Sequence, residues 1–162
     1  MAKADKSPML VAAREAACAE LVRTTGGTLV HPFDDAAVIA GQGTAALELL
    51  EDTPDLDIVI APCGGGGLLS GTAIAAKGLR PGIRVYGAEP VNAGDAAAGF
   101  RSGRIEPLPP TQTIADGLRT TLAPRTFGAI RAHVDAFGTC TEDGIVKAMR
   151  MTWERMKIII EP

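Results

Sequence analysis

The sequence predicts an α/β fold, an open and mostly parallel sheet with helices on both faces. Three observations predict it. Short β-branched runs alternate with alanine-rich stretches at helical spacing. The strongest run, "DIVIAP" at residues 57–62, is continuously apolar, as suits a buried parallel strand. Four glycines, Gly64, Gly65, Gly66 and Gly67, then separate that strand from the next helical stretch. Open α/β sheets place ligands at such strand-to-helix turns.

Each element has its own signal. Ser7 and Pro8 supply a capping hydroxyl and a proline at the first helical position. They open a helix over residues 9–23, with Leu10, Ala13, Ala17 and Leu21 at helical spacing. Gly26 and Gly27 end it. "TLVH", residues 28–31, reads as a short strand closed by Pro32, and a helix follows over residues 44–50. Beyond the glycines comes a helix over 68–79, then the strand "IRVYGAE" at 83–89. A small-residue helix covers 94–101, and the prolines of "EPLPPTQT" make 106–113 a loop. Pro124 opens a helix reaching His133, "VDAFGT" at 134–139 is a weaker strand, and Thr141 caps a last helix over 142–156. The organisation is an N-terminal helical segment, 1–26, followed by an α/β domain, 27–162.

The bulk numbers narrow the function. With 162 residues, 46% of them apolar and 22% charged, the chain suits one globular domain with a real core. A net charge of −3 excludes the usual footprint of nucleic-acid or anionic-membrane binding. No apolar stretch approaches the roughly 20 residues of a spanning helix, and the start "MAKADKSPML" has no signal-peptide apolar region. Cys18, Cys63 and Cys140 are odd in number and far apart. They fit reduced thiols in a cytoplasm. His31 and His133 lack the spacing to join them around zinc.

The glycine loop carries the functional signal. Amides at a helix start are unpaired and partly positive, so they bind anions, phosphate above all. Glycine lets a phosphate approach them without obstruction. A tight turn alone needs only one or two glycines. A Walker A loop would need lysine and Ser/Thr at its end, and "GLLSG" has no lysine. From Gly65 the dinucleotide fingerprint GxGxxG fails at its third glycine, where Ser70 stands, although Glu89 sits where a ribose ligand belongs. "GLLSG" is not a GxSxG nucleophile elbow either, so Ser70 reads as structural.

Several motifs in register then carry a resemblance. "HPFDDAAVIAGQGTAALELLE" (31–51), "APCGGGGLLSG" (61–71), "VYGAEPVNAGDA" (85–96), "TIADGLR" (113–119), "TEDGI" (141–145) and "WERMKIIIEP" (153–162) each resemble segments of one family, in its order. That family is the fold type II pyridoxal-phosphate enzymes (tryptophan synthase β-like), in particular the serine/threonine dehydratases and serine racemase. The resemblance runs from about Thr24 to Pro162. It implies that the amides of Gly64, Gly65, Gly66, Gly67 and Leu68 hold the phosphate of pyridoxal 5′-phosphate. It places Gly117 beside the cofactor and Glu142 near its ring. Glu142 also suits the first turn of a helix for purely electrostatic reasons. Glu89, the carbonyl of Ala93, and Asp95 match the family's divalent-cation site, hard oxygen donors for Mg²⁺ or Ca²⁺.

The sequence also departs from the family. No Ser-x-Lys-x-Arg or Ser-x-Gly-Asn-His motif is present, and Lys3, Lys6, Lys77, Lys147 and Lys157 lie outside any Schiff-base context. No catalytic residue is assigned. Lys77 reads as a surface residue too far along its helix to reach the ring. The chain thus resembles the middle half of a family member. The small domain would be represented by 1–26 and the large domain incompletely by 27–162. The implied activity is α-proton removal from a small hydroxy amino acid, followed by β-elimination or racemisation, by a form truncated and inactive alone. The alternatives are a non-catalytic phosphate- or cofactor-binding module and an NAD-type dinucleotide-binding domain. Exposed apolar surface is expected to drive homo-oligomerisation.

Overall fold

A computed structural model describes residues 7–162 of the chain. The chain separates into two compact units, Met1–His31 and Pro32–Pro162. In the first, α1 (Ser7–Thr25) ends where Gly26 turns at φ +69° and its amide bonds Val22 O at 3.0 Å. The Thr24 and Thr25 hydroxyls donate back to the carbonyls of Glu20 and Leu21, which helps close the last turn. The capping role read for Ser7 rests on a side chain outside those described. Residues 28–31 are not a strand. A strand needs a partner for its backbone groups, and this segment joins no ladder. Leu29 and Val30 are exposed.

The second unit begins with α2 (Ala36–Asp52), longer than residues 44–50 alone. Asp35 explains the extra turns. Its Oδ1 accepts from Ala37 N at 2.8 Å and Val38 N at 3.1 Å, starting the helix eight residues earlier than the apolar spacing suggests. Then follow β1 (Ile58–Pro62), α3 (Gly67–Leu79), β2 (Arg84–Pro90), a 3₁₀ turn (Val91–Ala93) and α4 (Asp95–Ser102). A second 3₁₀ turn (Asp116–Leu118), α5 (Pro124–His133), β3 (Ala136–Cys140) and α6 (Glu142–Met156) complete the order. The Thr141 hydroxyl caps α6 by accepting from Gly144 N.

The three strands form one parallel sheet in the order β1-β2-β3, with Val59 beside Val85, Ala61 beside Gly87, and Gly87 beside Phe137. Val59, Ala61 and Val85 point into a core shared with Leu69, Ala73 and Ala76 of α3, Ala96 of α4, and Ile130 of α5. The other face of β1 carries Ile58 and Ile60, and Ile60 is 64% exposed. Among the described residues, that part of the sheet has one covered face.

Lys77 is not a free surface residue. Its Nζ donates to Ile83 O at 2.6 Å and pairs with Asp135 Oδ2 at 2.8 Å. Asp135 Oδ2 also accepts from Val85 N at 2.7 Å. The lysine therefore clamps the last turn of α3 to the start of β2 and the approach to β3. Nothing local in the sequence announces this, because the two partners lie 58 residues apart.

Candidate functional site

Parallel strands leave all their carboxyl ends on one edge of the sheet. β1 leads there into the four glycines, β2 into the segment holding Glu89, Ala93 and Asp95, and β3 into Thr141 and Glu142. The residues singled out in the sequence thus converge by topology.

The glycine loop is shaped on three sides by neighbours. A β-carbon at Gly64 would lie 3.1 Å from Gly117 O and 3.1 Å from Leu118 Cα, so the Gly117 segment borders the loop. At Gly65 it would lie 2.5 Å from Cγ of Phe33, and at Gly67 2.9 Å from Phe33 Cβ. Gly66 has φ +87°, a left-handed conformation that favours glycine, and a side chain there would strike Leu122 at 2.6 Å. Gly65, Gly66 and Gly67 are therefore required by packing or by backbone conformation, and Gly64 is tightly packed against the Gly117 segment. The first intrahelical bond of α3 runs from Ser70 N to Gly66 O at 2.9 Å. The amides of Gly67, Leu68 and Leu69 accordingly have no acceptor within the helix. Amides without a helical acceptor at the positive end of a helix dipole, on a loop that carries no side chain, suit an anion.

Ser70 is structural. It is fully buried and its Oγ donates to Thr126 O at 3.3 Å, tying α3 to α5. Cys63 sits at the loop entrance with no exposure. Burial pushes its thiol far up, and the charges of Glu89 and Asp95 push the same way, so Cys63 is neutral and unreactive.

Glu89 and Asp95 are buried carboxylates, 3% and 4% exposed. Glu89 accepts from Ala96 N at 3.2 Å and Ala97 N at 2.8 Å, capping α4 from the end of β2. Burial nevertheless pushes Glu89 up to about 7, and Asp95 up to about 6. Both Asp95 oxygens are buried without a hydrogen-bond partner. Buried acceptors of this kind call for a proton or a cation. Among the described residues no group of three or more His, Cys, Asp or Glu side chains is placed to hold a metal. A cation here would rest on two carboxylates plus a carbonyl and water, a set hard ions accept. With Glu89 turned into α4, the acid that a dinucleotide ribose would need is already engaged.

Glu142 binds the third strand's end to the other segments. Its Oε2 accepts from Ile114 N at 2.8 Å and its Oε1 from Asn92 Nδ2 at 3.4 Å. These hydrogen bonds, the Ile114 amide first, hold its carboxyl below the usual range. Asn92 also donates to Gln112 O at 2.9 Å, and the Thr111 hydroxyl donates to Asn92 O. Glu142 therefore holds the same loop that carries Gly117, and reaches the glycines through it. Sequence reasoning missed Phe33 and Asn92. Both stand inside stretches that carry the resemblance, Phe33 in residues 31–51 and Asn92 in residues 85–96, but neither has a charge or spacing that marks it as part of a site. Lys147 and Lys157 lie in and just after α6, and Lys3 and Lys6 fall outside the described residues.

Comparison with known proteins agrees with this geometry. The chain is 51% identical over 152 residues to a serine racemase from Dictyostelium discoideum, covering 93% of this chain and 47% of that protein. It is 46% identical over 150 residues to a human serine racemase, covering 92% and 44%. The chain thus spans about half the length of the curated relatives it matches. Among solved structures, maize serine racemase superposes with a TM-score of 0.90 at 44% identity, over 92% of this chain and 45% of the other. A threonine deaminase from T.th. superposes at 0.86 and 46% identity, over 88% and 54%. The profile of the family described as "Pyridoxal-phosphate dependent enzyme" matches residues 6–162, and the chain belongs to that family.

Proposed function

We propose that this chain is the phosphate- and cation-binding part of a serine/threonine dehydratase or serine racemase acting on small hydroxy amino acids. One observation carries the reading. The amides of Gly67, Leu68 and Leu69 have no acceptor within α3, and they follow the carboxyl end of β1 in a loop that itself carries no side chain from Gly64 to Gly67. In this reading residues 1–26 belong to the small domain and 27–162 to the large one, in a cytoplasmic protein.

The amides of Gly64 through Leu68 would hold the phosphate of pyridoxal phosphate, with Gly117 beside it and Glu142 bracing the Gly117 segment. The bound cofactor supplies an electron sink for the carbanion left by α-proton removal. The chain's own residues here bind and orient. No described residue is assigned the proton transfer, and Lys77 is engaged with Asp135 and Ile83 at the opposite end of β2. Glu89, Ala93 O and Asp95 would hold Mg²⁺ or Ca²⁺, which would satisfy the partnerless Asp95 oxygens and fix the start of α4.

The engagement of Lys77 also favours a second reading, a module that binds the cofactor without turning over substrate. Borohydride reduction of the chain with pyridoxal phosphate, followed by intact mass and peptide mapping, tests both. One stoichiometric adduct on one lysine, with turnover of serine or threonine, means that the chain has its own Schiff-base site and overturns the module. Saturable binding with no adduct and no turnover is the result expected of the module and of an enzyme part inactive alone. No saturable binding refutes both.

A further inference from the structure

We propose that Phe33 is a positioning residue that presets the anion cradle, and that it is the reason residues 65 and 67 are glycine. The inference rests on the phosphate-binding reading above. One residue covers two glycines in alternation. Its ring meets the space of a β-carbon at Gly65, at 2.5 Å from Cγ and Cδ1 and 2.6 Å from Cδ2. Its own Cβ and Cα meet the space at Gly67, at 2.9 and 3.0 Å. Contacts this short at Cγ, Cβ and Cα are not relieved by swinging a flexible tip.

Phe33 comes from a rigid frame. It stands two residues before Asp35, whose carboxylate fixes the first turn of α2. α2 is in turn locked against α3, where the backbones of Gly43 and Gly71 meet. The ring thus presses the loop from the side on which side chains would project, and leaves its amides as the available polar surface. The Phe33 ring has no N–H or O–H to donate to the anion. It acts by holding the loop in the one shape in which several amides converge, and by keeping water from its back. Donors fixed in place and shielded from water bind an anion better than donors that must be organised first. The ligand class is a phosphate monoester or inorganic phosphate.

The test is a double-mutant cycle on the 162-residue chain, with pyridoxal phosphate titrated by absorbance and inorganic phosphate by calorimetry. Phe33→Ala should weaken both by about tenfold, the equivalent of about 1.4 kcal/mol. Phe33→Leu should retain most of the affinity. Gly65→Ala should lose binding, and adding Phe33→Ala to Gly65→Ala should recover part of it. Unchanged affinity in Phe33→Ala, or no recovery in the double variant, overturns the inference while the cradle reading stands. Failure of the unmodified chain to bind either probe overturns both. If Gly65→Ala does not fold, thermal melting of the double variant decides: a restored transition supports the steric pairing and its absence refutes it.

Discussion

Gly43 and Gly71 meet backbone to backbone. A β-carbon at Gly43 would lie 2.9 Å from Gly71 O, and one at Gly71 would lie 2.6 Å from Gly43 N and closer still to Ile39 O. α2 and α3 can touch this closely only without side chains between them. Gly71→Ala should therefore push the helices apart and destabilise the chain by about 2 kcal/mol. Urea unfolding checks this. The same variant should weaken phosphate binding, because α2 carries the Phe33 segment and α3 carries the loop.

Glu89 and Asp95 predict a competition between protons and cations. Both carboxyls are raised in the fold, Glu89 from 4.5 to about 7 and Asp95 from 3.8 to about 6. A raised folded value favours the protonated form. Its stabilisation is full below the ordinary value and is lost as pH rises through the folded one. Without a divalent cation, the melting temperature should fall between about pH 4 and about pH 7. Added Mg²⁺ or Ca²⁺ should raise it at the upper pH and do little at the lower. Asp95→Asn should abolish the cation effect. Differential scanning fluorimetry across pH, with and without the ion, reads all three.

Glu142 braces the loop of residues 111–119. Its carboxyl is held low by the Ile114 amide, so its contribution is present above the ordinary value and fades as pH falls through the folded one. Glu142→Gln should speed amide exchange at Ile114 and at residues 115–118 while leaving α2 and α3 protected. Hydrogen-exchange mass spectrometry distinguishes this local loosening from global loss.

Lys77→Met should cost about 1 kcal/mol, a modest figure because the pair with Asp135 is partly open to solvent. It should not alter phosphate affinity, since the lysine sits at the amino end of β2. A parallel titration of phosphate and of urea checks both halves. Loss of phosphate binding would show that Lys77 reaches the cradle.

Exposed apolar side chains predict self-association. Ile60 on the sheet and Trp153 and Met156 on α6 are more than half exposed. Light scattering at tens of micromolar, an order-of-magnitude choice for a surface of this kind, should give a mass above that of one chain. Ile60→Glu should shift it toward the monomer.

How far the sequence could be read depended on the range of the interaction. α5 and α6 begin where Pro124 and Thr141 say they do, because a proline and a capping hydroxyl act within one turn. β1 and β2 follow their β-branched runs to within a residue. Residues 28–31 have the same strand composition and form none, because a strand exists only with a paired neighbour. α2 was half legible, since the cap at Asp35 decides its start.

By itself the sequence determined the α/β class, the parallel strands and the position of a phosphate-type loop between β1 and α3. Those follow from local periodicity and from glycine's backbone freedom, which act over a few residues. Only the tertiary structure decided why Gly65, Gly66 and Gly67 leave no room for a side chain. It also turned Glu89 into α4, left Asp95 without a partner, and set Lys77 as a clamp. Phe33 lies some thirty residues before the loop it shapes and Asp135 lies 58 after the lysine it holds. Contacts across such distances arise when the chain closes on its core, and burial then sets the carboxyls' protonation.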